Sequence, residues 1–279
     1  MIEYVKDTFE EYLSNDSISA SDIKSFLKSP AKFRYNKLNP DKKESAKHFA
    51  IGSALHELIL EPELFNSHYY VMPKCDLRTK AGKQEYSEAL AKADGKVIIN
   101  DEDLSMITQM AISSSNKKTF LELIRDSYRE VSAYTTDEKT GLRVKFRPDS
   151  LSTTKSTIVD IKTCVSSSPR DFRYDILSYG YHISSAYYSD FLGRENYVFC
   201  AIEKTAPYQT SLYQIDDEFT EMGRLAYRKG LDLLKWSIDN DFWCDYNQFE
   251  ILKECYDIDN LEIAMETILN SVEIDIINK

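Results

Sequence analysis

The chain has 279 residues, 42% of them apolar and 29% charged, with 46 acidic against 35 basic side chains and a formal charge of −11. Such values exclude a disordered chain, and no apolar run approaches the roughly 18 residues of a membrane-spanning helix. Glu3, Lys6, Asp7, Glu10 and Glu11 interrupt the start of the chain, so no secretory leader is expected there.

In chain order, Ser19-Ala20-Ser21-Asp22 reads as a helix cap before Ile23, Phe26 and Leu27, which fall on one helical face. Pro30 ends or restarts that helix. A second helix is predicted over 45–60, with Phe49, Leu55, Leu58 and Ile59 apolar, stopped by Glu61-Pro62. Residues 72–84 read as a basic loop, and two short helices are predicted near 84–93 and 101–125. The period then changes. Glu130–Thr135, Leu142–Ser150 and Thr157–Thr163 read as strands, with Asp137-Glu138-Lys139-Thr140-Gly141 as a hairpin turn in which Gly141 supplies a positive φ. An aromatic-rich helix over 171–192, strands over 197–203 and 208–215, and a long amphipathic helix over 217–239 follow. The expected fold is an α/β (α+β) layered domain: a central mixed sheet flanked by helices. One domain over 1–236 is expected, with a helical part (1–125) and a sheet core (128–215). An acidic helical tail, 237–279, would complete the chain.

The charge is unevenly spread. Residues 237–279 carry 11 acidic and two basic residues, leaving a net of only −2 on the first 236, and 22–47 is locally +5. A local basic field can hold phosphates whatever the whole-chain sum, although a solvated helix face gives the same pattern. The five cysteines are odd in number, widely spaced and without a CxxC pair, as expected of reduced, buried thiols in the cytoplasm.

The sharpest local feature runs from Arg147-Pro148-Asp149 to Asp160-Ile161-Lys162. Pro148 suits a strand end, which places Asp149 at a bend. Alternation on the next strand puts Asp160 and Lys162 on one face and turns Ile161 into the core. Two paired strands would bring Asp149 and Asp160 to one cation, and oxygen ligands favour Mg2+ or Mn2+. An Asp-x-Lys pair alone occurs constantly by chance and is better read as a routine surface ion pair. His56 on the apolar helix and Glu130 at the start of the first strand add two further candidate groups.

These blocks together resemble the PD-(D/E)xK nuclease superfamily, and within it the phage-type exodeoxyribonuclease VIII exonucleases. The resemblance rests on Ser19-x-Ser21 through Ser29-Pro30 and Tyr35, Gly52-x-x-x-His56 with Leu60-Glu61-Pro62, and Asp76-Leu77-Arg78-Thr79-Lys80-x-Gly82-Lys83. Thr140-Gly141 with the Arg-Pro-Asp and Asp-Ile-Lys motifs, and Tyr181-His182 with Tyr187-Tyr188-Ser189-Asp190, complete it over about 19–204. One departure stands out: Ser184 occupies the place of the glutamine that commonly precedes Tyr188 on that helix.

The resemblance implies a restriction-endonuclease-like core and a divalent-metal-dependent exonuclease. It would resect the 5′ strand of linear double-stranded DNA and leave 3′ overhangs for annealing-type recombination. It implies metal binding by His56, Asp149, Asp160 and the Ile161 backbone oxygen, with Lys162 activating the attacking water. Glu130 would serve a second metal or orient a water, and Tyr188 would pack beside the site. Arg78, Lys80 and Lys83 would hold backbone phosphates or the 5′ end, and Lys24, Lys28, Lys32 and Arg34 would track the duplex. It further implies a ring-shaped homo-oligomer, a single-strand annealing recombinase as partner, no membrane association, and the cytoplasm of a bacterium or phage-infected host. Two alternatives remain: a structure-specific or helicase-associated endonuclease with the same core, and a non-catalytic DNA-binding module on a decayed nuclease fold.

Overall fold

The computed structural model describes residues 1–39 and 47–244 and a short strand at Asp275–Ile276. The N-terminal part comprises β1 (Glu3–Val5), α1 (Phe9–Ser14), α2 (Ala20–Lys28), α3 (Pro30–Leu38), α4 (Lys47–Leu60), α5 (Phe65–His68), β2 (Tyr69–Met72), α6 (Lys80–Ala93), β3 (Val97–Asn100), α7 (Asp101–Ser115) and α8 (Lys118–Ile124). The sheet region follows as β4 (Ser127–Arg129), β5 (Ser132–Thr136), β6 (Arg143–Phe146), β7 (Ser150–Ser152), β8 (Thr157–Cys164), α9 (Pro169–Ser178), α10 (Tyr181–Leu192), β9 (Asn196–Glu203), β10 (Thr210–Gln214), α11 (Asp217–Asp239) and β11 (Asp275–Ile276).

The protein is a mixed α/β structure with a central mixed sheet between helices, as expected. The sheet order is β11-β10-β9-β8-β7-β4. β8 and β9 run parallel, joined by the α9–α10 crossover, and their neighbours are antiparallel. Because helices cover both faces, β8 and β9 are buried along nearly their whole length. Ile158 and Phe199 face a core shared with α2, α9, α10 and α11. Val159, Ile161, Val198 and Cys200 face a second core shared with α4, α7 and α8. A second, antiparallel sheet, β1-β5-β6, closes the N-terminal end, and β2 and β3 form a small parallel pair.

Local chemistry accounts for most boundaries. Ser19 and Asp22 form the reciprocal capping box of α2, and Ser29 caps α3 ahead of Pro30. Gly141 takes φ +74 in the β5–β6 turn, as anticipated.

The differences have equally local causes. α6 starts at Lys80, inside the expected basic loop, because the Thr79 hydroxyl caps it by accepting from Gly82 N. The helix expected over 101–125 breaks at Asn116–Lys117. The helix over 171–192 breaks at Tyr179–Gly180, where Gly180 adopts φ +63. The strand over 142–150 divides into β6 and β7 at Arg147-Pro148-Asp149, and the two halves join different sheets. Glu130 opens no strand; it lies between β4 and β5 with φ +48. The expected boundary at 236/237 falls within α11, and packing continues beyond it: Trp243 stacks on Phe33 and Cys244 is wholly buried. The acidic tail after Cys244 lies outside the described residues except at β11, as does the start of the helix predicted from residue 45.

His182, in the first turn of α10, is 3% exposed, and its Nδ1–H donates to the Ile176 carbonyl at 3.2 Å. Burial pushes its imidazole down to about 4. The folded protein therefore resists a proton that the unfolded chain accepts near pH 6.5. The stability tied to this group is complete above that pH and declines as pH falls toward 4, by about 3 kcal/mol in all. Denaturant unfolding of wild type and His182→Asn should diverge across that window. Parallel pH profiles would show that the histidine contributes nothing to it.

Candidate metal centre

Three elements meet where Pro148 breaks the second β-hairpin strand. α4 delivers His56, the β4–β5 kink delivers Glu130, and the start of β7 delivers Asp149. His56 Nδ1 lies 3.5 Å from Asp149 Oδ2 and 4.0 Å from Glu130 Oε1. The ligand atoms of the three residues all lie within 4.8 Å of one another. Asp149 Oδ2 accepts from Ile161 N at 2.6 Å, so the bend that releases Asp149 from β7 is pinned directly to β8. His56 Nε2–H donates to the Ile161 carbonyl at 2.9 Å, which turns Nδ1 toward the carboxylates.

Asp160 and Lys162 occupy one face of β8, as alternation required. Lys162 Nζ donates to Asp160 Oδ1 at 2.5 Å, and Tyr197 OH donates to Asp160 Oδ2 at 3.0 Å. The expected metal-binding set is thus divided. His56 and Asp149 face one another with Glu130, while Asp160 is held by Lys162 and Tyr197, and the Ile161 oxygen accepts from His56.

Arg147 organises the rear of the site. Its Nε donates to Glu130 Oε2 at 3.1 Å, and its Nη1 donates to Asp7 Oδ1 at 2.9 Å and Ser132 Oγ at 2.8 Å. Asp7 also accepts from the Ser132 and Tyr134 hydroxyls. Tyr188 accepts from Arg147 N at 3.2 Å and packs edge-on against Phe146 and Tyr197, beside the site. Ser184 lies one turn earlier on α10.

Crowding of buried charge shapes the protonation states. Burial and the Asp149 carboxylate raise Glu130 to about 7 against the pull of His56 and Arg147. Burial works to discharge His56, but Asp149 and Glu130 outweigh it and raise the imidazole to about 9. Burial likewise acts to raise Asp149, yet His56, Lys162 and the Ile161 N–H hold it at about 2. Burial and Asp149 raise Asp160 against Lys162. Asp149 works against the charge on Glu130, and both carboxylates now draw on the His56 imidazolium; a divalent cation would take over that role as the imidazole gives up its proton, so the three are a donor set suited to one.

The other candidates lie elsewhere or are engaged. Arg78, Lys80 and Lys83 are exposed at the start of α6, with Arg78 paired to Asp76. Lys32 is exposed on α3. Arg34 pairs with Asp241 at 2.7 Å and covers the Trp243 ring, which ties it to the residues after α11. Lys24 reaches the Tyr181 ring, which it shares with Lys162. Sequence patterns held no sign of Asp7, Ser132 or Tyr197; only the adjacency of Arg147 to the Pro-Asp motif hinted at its role.

The mixed sheet, with β8 and β9 at its centre between two helical layers, is that of a PD-(D/E)xK-like core. The chain belongs to the family described as "PDDEXK-like domain of unknown function (DUF3799)", whose model matches residues 19–254. Among solved structures it is similar to "Putative exonuclease" from Eubacterium rectale, at 14% identity and a TM-score of 0.59, covering 85% of this chain and 88% of that one. At that identity the likeness speaks to the fold. The structure of SSO0001 covers 81% of this chain and 81% of its own at 15% identity and a TM-score of 0.40, too low to bear on the argument. No curated protein matches the chain. No helix among the described residues is long and apolar enough to cross a membrane.

Proposed function

We propose that the protein is a divalent-metal-dependent DNA exonuclease that hydrolyses linear duplex from its ends, 5′ to 3′, using Mg2+ or Mn2+. The observation that carries this reading is the juxtaposition of Asp149, His56 and Glu130 with the Asp160–Lys162 pair across β7 and β8. A bound divalent cation supplies charge neutralisation at the scissile phosphate and lowers the pKa of its bound water. His56, Glu130 and Asp149 would hold it, while Asp160, engaged by Lys162 and Tyr197, stands on the adjoining strand β8. Lys162, kept protonated by Asp160 and Asp149 against the pull of burial, positions the attacking water and opposes charge on the phosphorane. Arg147 and Tyr188 fix the bend that presents Asp149, and Arg147 holds Glu130.

Arg78, Lys80, Lys83 and Lys32 are surface groups suited to backbone phosphates. A ring-shaped homo-oligomer around DNA and a single-strand annealing partner complete the proposal.

The test is linear duplex labelled at the 5′ or the 3′ end, incubated with Mg2+ beside a covalently closed circle. Early release of 5′-labelled mononucleotide from the linear DNA alone is expected. Cutting of the circle would replace this reading with an endonuclease. DNA binding without metal-dependent cleavage of any substrate would replace it with a binding module.

A further inference from the structure

Lys24 is a second amine at the site, and the proposed hydrolysis leaves it without a task. It reaches the site from α2 across the corner between α9 and α10. A Cβ at Gly180 would lie 2.8 Å from Lys24 Cδ, so the glycine that permits the left-handed corner also leaves the lysine its channel. Lys24 Nζ ends 5.9 Å from the Tyr181 ring centroid, and Lys162 Nζ ends 5.1 Å from the same ring. The two amines differ in partners. Lys162 has the Asp160 carboxylate at 2.5 Å, whereas Lys24 donates to the Tyr179 carbonyl at 3.3 Å. No carboxylate pairs with Lys24 at salt-bridge distance among the described residues. Burial and Lys162 together outweigh Asp160 and pull Lys24 down to about 8, so this amine is short of negative charge. Beside it, Tyr179 is 59% exposed and its ring stacks on Tyr181, centroids 5.5 Å apart and planes 30° apart.

We infer that Lys24, Tyr179 and Tyr181 form a subsite for one unpaired nucleotide adjoining the scissile phosphate, with its backbone phosphate on the Lys24 amine and its base stacked on Tyr179. The inference rests on the nuclease reading and deepens it. A cation lacking a counter-charge next to an exposed aromatic face is the combination that single-stranded nucleic acid occupies. Every base offers a π-face, so the subsite tolerates any sequence. It does require the base to leave its partner, so the strand end must fray before it is cut.

The experiment uses a single-stranded oligonucleotide containing 2-aminopurine, with Mg2+ and with Asp149→Asn as the common background, so that nothing is cut. Binding should quench the fluorophore. Adding Tyr179→Ala should weaken binding about tenfold and abolish the quenching, while Tyr179→Phe keeps both. Adding Lys24→Met should weaken binding and lower the slope of log affinity against log salt by about 0.7, one phosphate contact on a single strand, while Lys24→Arg keeps it. Tyr179 is exposed, so its truncation reports on the subsite even if Lys24→Met disturbs packing. If the background protein binds and quenches, and the Tyr179 and Lys24 variants behave identically to it, the subsite is refuted and the nuclease reading stands. If wild type neither binds this oligonucleotide nor cleaves duplex, both fall together.

Discussion

Asp149→Asn is expected to lower DNA cleavage by roughly a thousandfold or more while leaving the fold and most of the DNA affinity in place. Asparagine has the size of aspartate and can still accept from Ile161 N, the 2.6 Å bond that pins the bend to β8. What it loses is the charge at the centre of the His56–Glu130–Asp149 trio. Cation affinity should drop sharply as a result. Three readouts separate the possibilities. Calorimetric titration with Mn2+ should show binding to wild type and little to the variant. Mg2+ should raise the melting temperature of wild type by mass action and leave that of the variant nearly unchanged. Chelation of the metal from wild type should reproduce the loss of cleavage. A variant that cuts DNA at the wild-type rate would remove Asp149 from the mechanism.

A large loss of stability is expected from Gly223→Ala. α11 crosses α10 at this point, and a Cβ there would sit 2.1 Å from the His182 carbonyl oxygen and 2.6 Å from its carbon. Both are backbone atoms that cannot swing aside, so one helix must move. Overpacking of this kind costs about 3 kcal/mol, which in a chain of this size lowers Tm by roughly 6–12 °C. The shift would also displace Tyr187 and Tyr188, and with Tyr188 the contact to Arg147 N. Gly52→Ala in α4 is the control: nothing lies within 4 Å of the added methyl, and relief of glycine's backbone entropy should stabilise by about 0.5–1 kcal/mol. Equal melting temperatures for the Gly223 variant and wild type would show that the helices part without cost.

The parts of the site written in adjacent residues were legible before the structure. Alternation placed Asp160 and Lys162 on one face of β8, and Pro148 placed Asp149 at a bend. α11 was legible along its whole length, because a capped, amphipathic 23-residue helix carries its own periodicity. What was hidden depends on contacts distant in sequence. Glu130 read as a strand residue because β propensity surrounds it, yet its φ is +48 and its N–H donates to the Asp149 carbonyl. β2 and β3 pair in parallel across the intervening α6, and neither strand carries the alternation of a half-buried sheet. Lys24 and Lys32 were indistinguishable as basic residues on a helical stretch. Only the packing of α2 against the Tyr179–Gly180 corner separates the one that enters the site from the one that remains on the surface.

The clamp between Asp7 and Arg147 has a consequence for biosynthesis. It spans 140 positions, and β1 pairs with β5 across a comparable loop. Closing loops of that length costs entropy that local helix formation does not, so these contacts form late in folding. A nascent chain synthesised through β8 already contains every acidic residue of the site, but it lacks β9, Tyr197 and the crossover helices that hold the sheet together. Under the proposed function, cleavage competence therefore waits for β9 and the crossover helices, and translation products that end at β8 should be inert toward DNA.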